Sequence, residues 1–178
     1  MATELVEAFR QRQSALKQAY RDDPAGSRQV TVVRSVTGDD PAPGKVSIAV
    51  EGESGFTIDF GAHQSVGGDP VLPCSGDIFL ASYAACYELT LRLVAQAMNI
   101  PLRGLELKVE GDWDARGTLA LDREAPVGYT AIRIAVSADT DASEEQVARL
   151  LKSAERYCVV GATLKQPPVV EIEAKITT

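Results

Sequence analysis

The sequence predicts an α+β fold in which antiparallel sheets cover a central helix, and three observations carry that expectation. Residues 78–98 are almost wholly apolar, and Pro101 follows, which disfavours helical geometry at the residue before it. Two later segments alternate with the period of a strand. In one, Leu105, Leu107 and Val109 oppose Glu106, Lys108 and Glu110; in the other, residues 129–138, Ile132, Ile134 and Val136 point one way. Three earlier strand candidates, residues 29–36, 45–50 and 55–60, are separated by the turn-forming runs Gly-Asp-Asp-Pro-Ala-Pro-Gly and Glu-Gly-Glu-Ser.

Taken in order, the chain opens on residues 4–20, where Leu5, Phe9, Leu16 and Tyr20 form one stripe among charged neighbours, as an amphipathic helix requires. The run from Asp22 to Ser27 contains Pro24 and Gly26 and breaks that helix before the strands begin. Residues 61–75 are polar and rich in Gly and Pro, and form a loop that delivers the chain to the apolar run. That run is long enough to span a membrane. Ser75 and Asp77 offer caps, however, and Glu88 and Arg92 stand four apart as a helical ion pair would, so the expectation is a core helix buried on nearly all sides. Beyond the two alternating strands, Ser143 and Gln146 make a capping-box signature that opens a helix with the stripe Val147, Leu151, Ala154 and Cys158. A last strand is expected over residues 169–176. The order is helix, three strands, buried helix, two strands, helix, strand, without an internal repeat.

Composition limits the partners. The 178 residues are 45% apolar, enough for a substantial core, and 18 basic against 25 acidic side chains give a net charge of -7. That sign works against nucleic acid and anionic membranes. The N-terminus lacks the basic and apolar regions of a secretory signal, so the expected location is cytoplasmic. Three cysteines spaced 12 and 72 residues apart do not resemble a disulfide framework, and with one His they make a poor zinc set.

The thiols are the chemistry-bearing groups. Cys86 sits in the apolar helix and Cys158 at the end of a second helical stripe, the arrangement of a redox pair, although a Cys in an apolar helix is most often an inert core residue. Cys74 precedes the central helix, at its N-terminal end. Twelve helical residues would hold it about 18 Å from Cys86, beyond the roughly 7 Å between Cα atoms that a disulfide tolerates, and a structural role is the expectation. Trp113 and the Glu88/Arg92 pair are assigned to packing and surface electrostatics. His63, the only histidine, is either a solvated loop residue or a group that stabilises a thiolate and moves protons near neutral pH.

The segment Ser82-Tyr83-Ala84-Ala85-Cys86-Tyr87, the run Gly111-Asp112-Trp113-Asp114-Ala115-Arg116-Gly117 and Ala154-Glu155-Arg156-Tyr157-Cys158 occur here together. In that combination the chain resembles the family of osmotically inducible protein C (OsmC) and the organic hydroperoxide resistance proteins, over residues 27–176. The resemblance makes residues 1–26 an N-terminal helical extension and residues 27–178 an OsmC-like domain. It implies an intertwined homodimer, with antiparallel sheets wrapped around long central helices and active sites at the subunit interface. It also implies that Cys86 is the peroxidatic thiolate, which attacks the O–O bond of a small hydrophobic hydroperoxide, and that Cys158 resolves the sulfenic acid as a disulfide. A dithiol reductant then recycles the pair, with no cofactor.

Two departures stand against the family pattern. The position ten residues before Cys86, where peroxidatic members carry a Glu, holds Gly76, with Asp77 beside it; one residue turns a helical side chain by about 100°. No Arg occurs between Arg34 and Arg92, the interval that usually supplies the thiolate's cation. The replacements available are Lys45, His63, Arg92, or Arg10 and Arg12 of the N-terminal helix reaching across a dimer. Two function classes therefore remain open. One is a two-cysteine peroxidase; the other is an OsmC-like dimer with weak or no peroxidase activity that binds a small hydrophobic ligand at its interface.

Overall fold

The computed structural model describes residues 2–39, 42–53 and 55–177, and of Ala2, Thr3 and Leu5 the backbone alone. Asp40 and Pro41 of the first turn and Ser54 of the second therefore lie outside the described residues, as does the side chain of Leu5 in the expected stripe. The chain divides into two compact units, residues 1–42 with 46–59 and residues 43–45 with 60–178.

In the first unit the N-terminal helix α1 spans Ala2–Asp22 and ends where Asp23, in extended conformation, caps a short 3-10 turn over Pro24–Ser27. A Pro at the start of that turn has no N–H to leave unpaired. Strands β1 (Val33–Ser35), β2 (Lys45–Val50) and β3 (Phe56–Gly61) form a sheet with β2 in the middle. β1 runs antiparallel to β2, pairing Val33 with Val50 and Ser35 with Ile48. β1 is shorter than the expected residues 29–36, because no ladder reaches back beyond Val33. Cross-strand polar contacts support the register: Arg34 pairs with Glu51, and the Ser47 hydroxyl donates to Asp59 at 2.6 Å.

The second unit holds the central helix α2, Ser75–Ala97, followed by β4 (Arg103–Asp112), the single turn α3 (Ala115–Thr118), β5 (Ala131–Asp139), α4 (Glu144–Tyr157) and α5 (Val159–Lys165). α2 stops where expected. Met98 caps it and Asn99 adopts the left-handed conformation (φ 55°), a geometry Asn tolerates better than most residues. β4 and β5 pair antiparallel, Leu107 opposite Val136 and Val109 opposite Ile134, so their apolar residues share one face. The expected capping box forms: Gln146 N–H donates to the Ser143 hydroxyl and the Ser143 N–H donates to the Gln146 side chain. α2, α4 and α5 pack together, with α2 also against β4, around Tyr87, Leu91, Ala95, Ile100, Leu150, Ala154 and Cys158.

Three expectations are corrected. On α4 the buried residue is Leu150, not Leu151, which is 37% exposed; Val147, Leu150, Ala154 and Cys158 advance by three, four and four and so stay on the face turned to α2. The segment 169–176 forms no strand, because within one chain no sheet edge pairs with it, and Val169 and Ile172 are each 88% exposed. Nor is α2 buried on nearly all sides. Among the described residues it is the one helix long and apolar enough to cross a membrane, yet a single chain buries only Tyr87, Leu91 and Ala95 of it. Ala81, Ala85, Leu89 and Leu93, spaced at four residues, face outward.

Candidate functional site

The expected redox residues meet where α4 ends. Cys158 leaves the helix in extended conformation (φ -71°, ψ 112°), its N–H still donating to the Ala154 carbonyl at 3.0 Å. Its own carbonyl accepts from Ala162 at 2.8 Å and its Sγ accepts the Gly161 N–H at 3.4 Å, so one residue closes α4 and caps α5. Cys158 is fully buried. Cys86, half-buried on α2, packs against the same cluster, near enough to Cys158 to influence its titration, and both thiols are free. The Cys86 carbonyl accepts a back-bond from the Thr90 hydroxyl at 2.8 Å, one turn further along.

Burial pushes the Cys158 thiol up, the Gly161 N–H pulls it back, and the neighbouring Cys86 sulfur pushes it up again. A thiol held neutral in the folded chain but ionising normally in the unfolded one stabilises the fold below the ordinary thiol value of about 8.5. That stability is lost as pH rises through the folded pKa, because the unfolded state then binds fewer protons. Thermal unfolding followed from pH 7 to 10 should therefore show wild-type protein losing stability above about pH 8.5. Cys158→Ala, less stable throughout, should lose less over the same interval. Equal slopes would contradict the assignment.

Two tyrosines complete this cluster. Tyr87 is buried, and Tyr83, one turn before Cys86, lies half-buried against Cys158 and Gly161. Burial raises the pKa of both phenols; for Tyr83 the next causes are the Cys158 sulfur, which raises it further, and Lys165, which lowers it. Lys165 is ion-paired with Glu155, and the two border a cavity of about 380 Å³ with Lys152 and Arg156. The cation that acts on the Tyr83 phenol thus comes from α5, an element absent from the expected order.

The supporting candidates lie elsewhere. His63 and Asp77 line a second cavity of about 290 Å³ with Cys74, Trp113, Val127 and Tyr129, and Cys86 is not among its walls. Cys74 caps α2, its Sγ accepting the Gly76 N–H at 3.2 Å, which agrees with the structural role expected for it. His63 accepts the Ser65 N–H at Nδ1 (3.0 Å) and meets Trp113 edge to face, ring centroids 5.1 Å apart. Lys45 is half-buried at the start of β2, and Arg92 is paired with Glu88 at 2.7 Å on the outer face of α2. Gly76 has a physical explanation. A Cβ there would lie 2.9 Å from the Tyr129 hydroxyl and 3.4 Å from the Cys74 sulfur, so the phenol occupies the space a Glu side chain would need.

Tyr83, Tyr129 and Lys165 were not singled out from sequence. Tyr83 alone had a visible signal, its spacing of three from Cys86 on one helix. Trp113, assigned to packing, does pack, but in the wall of a cavity.

An α+β domain that sets two free thiols side by side between its central helix and a helix junction defines a class of small thiol proteins. The chain belongs to the OsmC-like protein family, whose pattern matches residues 67–173. It is similar in fold to an OsmC-like protein from Mycoplasma pneumoniae, at 18% identity over 78% of this chain and 89% of that one, with a TM-score of 0.59. It is likewise similar to an organic hydroperoxide resistance protein OsmC from Legionella pneumophila, at 17% identity over 79% and 92% of the two chains, TM-score 0.55. An organic hydroperoxide resistance protein from Elizabethkingia anophelis shares 16% identity over 79% and 91%, TM-score 0.52. No curated protein matches the sequence.

Proposed function

We propose that this protein is a cytoplasmic two-cysteine peroxidase that reduces small hydrophobic organic hydroperoxides in defence against oxidative stress. The observation that carries the reading is the apposition of Cys86 and Cys158 within one subunit, both free and both against one apolar cluster. In the proposed cycle the Cys86 thiolate attacks the O–O bond and takes one oxygen as a sulfenic acid, releasing the alcohol once the alkoxide gains a proton. Cys158 then attacks the Cys86 sulfur, water leaves, and a dithiol reduces the disulfide. Apolar walls around Cys86 favour an alkyl or aryl hydroperoxide over hydrogen peroxide, and two of the similar structures are named for organic hydroperoxide resistance.

The working unit is proposed to be a homodimer. Its support is the outward stripe of α2 and the unpaired, alternating segment 169–176, two apolar surfaces that a second copy of the chain would cover. Residues 1–26 would extend the domain of residues 27–178 in each subunit. With a net charge of -7, neither nucleic acid nor a membrane surface is a proposed partner.

A second reading has its own observation. The cavity walled by Trp113, Val127 and Tyr129 suits a small hydrophobic ligand, and Gly76 removes the family's Glu. Consumption of cumene hydroperoxide with a dithiol reductant separates the two. Multiple turnovers per subunit are expected, and loss of no more than the thiol-equivalent amount would favour the binding protein.

A further inference from the structure

We propose that Tyr83 is the proton relay of the resolving step, in which Cys158 attacks the Cys86 sulfenic acid; the inference rests on the peroxidase reading above and names a residue for it. Tyr83 stands one turn before Cys86 on α2, so the two side chains share a face of the helix. Its ring is laid against the first turn of α5 at the one position that lacks a side chain. A Cβ at Gly161 would lie 3.1 Å from the Tyr83 hydroxyl, 3.2 Å from its Cε2 and 3.5 Å from the Cys158 Sγ. The phenol oxygen and the resolving sulfur therefore both border the space that a side chain at residue 161 would fill. The hydroxyl makes no hydrogen bond among the described residues, so its proton is not committed to the protein.

The chemistry has a place for it. When Cys158 attacks, the S–S bond forms and the S–OH bond of the Cys86 sulfenic acid breaks. The thiol must lose a proton and the departing hydroxide must gain one. A tyrosine that turns its hydroxyl to this bond gives its proton to the hydroxide and takes the proton of Cys158, ending as it began, with one disulfide and one water as products. No further oxidant enters. Burial holds Cys158 protonated near neutral pH, so without a relay the step waits for the small thiolate fraction. Burial also keeps the Tyr83 phenol protonated, the form a donor needs.

The test is Tyr83→Phe, which keeps the ring and its packing and removes only the hydroxyl. Sulfenic acid is generated in wild type and variant by one equivalent of cumene hydroperoxide and, separately, of peroxynitrite, which transfers oxygen to an accessible thiolate without an organic hydroperoxide site. Disulfide formation is then timed across pH 6 to 9. In Tyr83→Phe the step should slow by about tenfold or more, leaving a sulfenic acid at Cys86 that dimedone traps, and its rate should climb steeply with pH where the wild-type rate is flatter. Gly161→Ala, which crowds the same hydroxyl, should slow the step in the same direction. A Tyr83→Phe rate within about twofold of wild type, with the same pH profile, would overturn the relay. Slowed resolution after peroxynitrite, in a protein that consumes no cumene hydroperoxide, would uphold the relay and overturn the peroxidase reading alone.

Discussion

Cys86→Ser should lower hydroperoxide turnover by at least about a thousandfold, because a serine hydroxyl has almost no anionic population at neutral pH and is a far weaker nucleophile towards the O–O bond. Cys158→Ser should behave differently. With the resolving thiol gone, Cys86 still performs one attack, so a single equivalent of cumene hydroperoxide is consumed and a sulfenic acid remains. Turnover should then stop with a dithiol too bulky to reach the half-buried Cys86, and persist at a reduced rate with a small one. The contrast matters more than either loss. If both variants lost the first turnover equally, the two thiols would not have separate roles, and if Cys86→Ser kept wild-type turnover the peroxide chemistry would lie elsewhere, with Cys74 and Cys158 the remaining thiols.

The second large effect concerns assembly. Light scattering at micromolar concentration should give twice the 19.0 kDa of one chain. Leu89 is the test position, since it lies 63% exposed on the outward stripe of α2 between Ala85 and Leu93. Burying a Leu contributes about 1.5–3 kcal/mol, and a Glu in its place adds the cost of desolvating a carboxylate. In a twofold dimer the change occurs twice. Leu89→Glu should therefore weaken association by at least about a hundredfold and shift the protein to monomer or to aggregate. Wild-type protein that stays a folded monomer would remove the dimer, and with it the explanation offered for the exposed stripe and for residues 169–176.

Those two regions also show where sequence reading met its limit. Elements whose partners lie within one chain were legible. The alternation in β4 and β5 matches a paired ladder, and Ser143 with Gln146 opens α4 as expected, because both signals are local. The alternation of residues 169–176 is equally clear, but a strand needs a partner, and among the described residues no strand pairs with this segment. The apolar length of α2 was likewise read correctly as a helix, but a single chain does not bury it on nearly all sides, since hydropathy does not say what a helix packs against. α5 was hidden for a different reason. It is seven residues long and is capped by a Cys rather than the usual Ser, Thr, Asp or Asn.

The candidate site divides the same way. Cys86 and Cys158 could be singled out because thiols are few, and the fold does bring them together. The surrounding groups come from distant segments: Tyr83 meets α5 only through the missing side chain of Gly161, and Tyr129 fills the space above Gly76 across more than fifty residues. Neither convergence leaves a local pattern. The cations considered from sequence, Lys45, His63, Arg92, Arg10 and Arg12, did not include Lys165, which lies on α5 and acts on the Tyr83 phenol.

The central claim is that Cys86 and Cys158 form one redox pair within a subunit. Peptide mapping after one equivalent of cumene hydroperoxide, with remaining thiols alkylated before digestion, tests it most directly. The expected product is a Cys86–Cys158 disulfide in a chain that stays monomeric on a denaturing non-reducing gel, with Cys74 alkylated. Recovery of Cys86 and Cys158 as free thiols, with Cys74 alone oxidised, would contradict it.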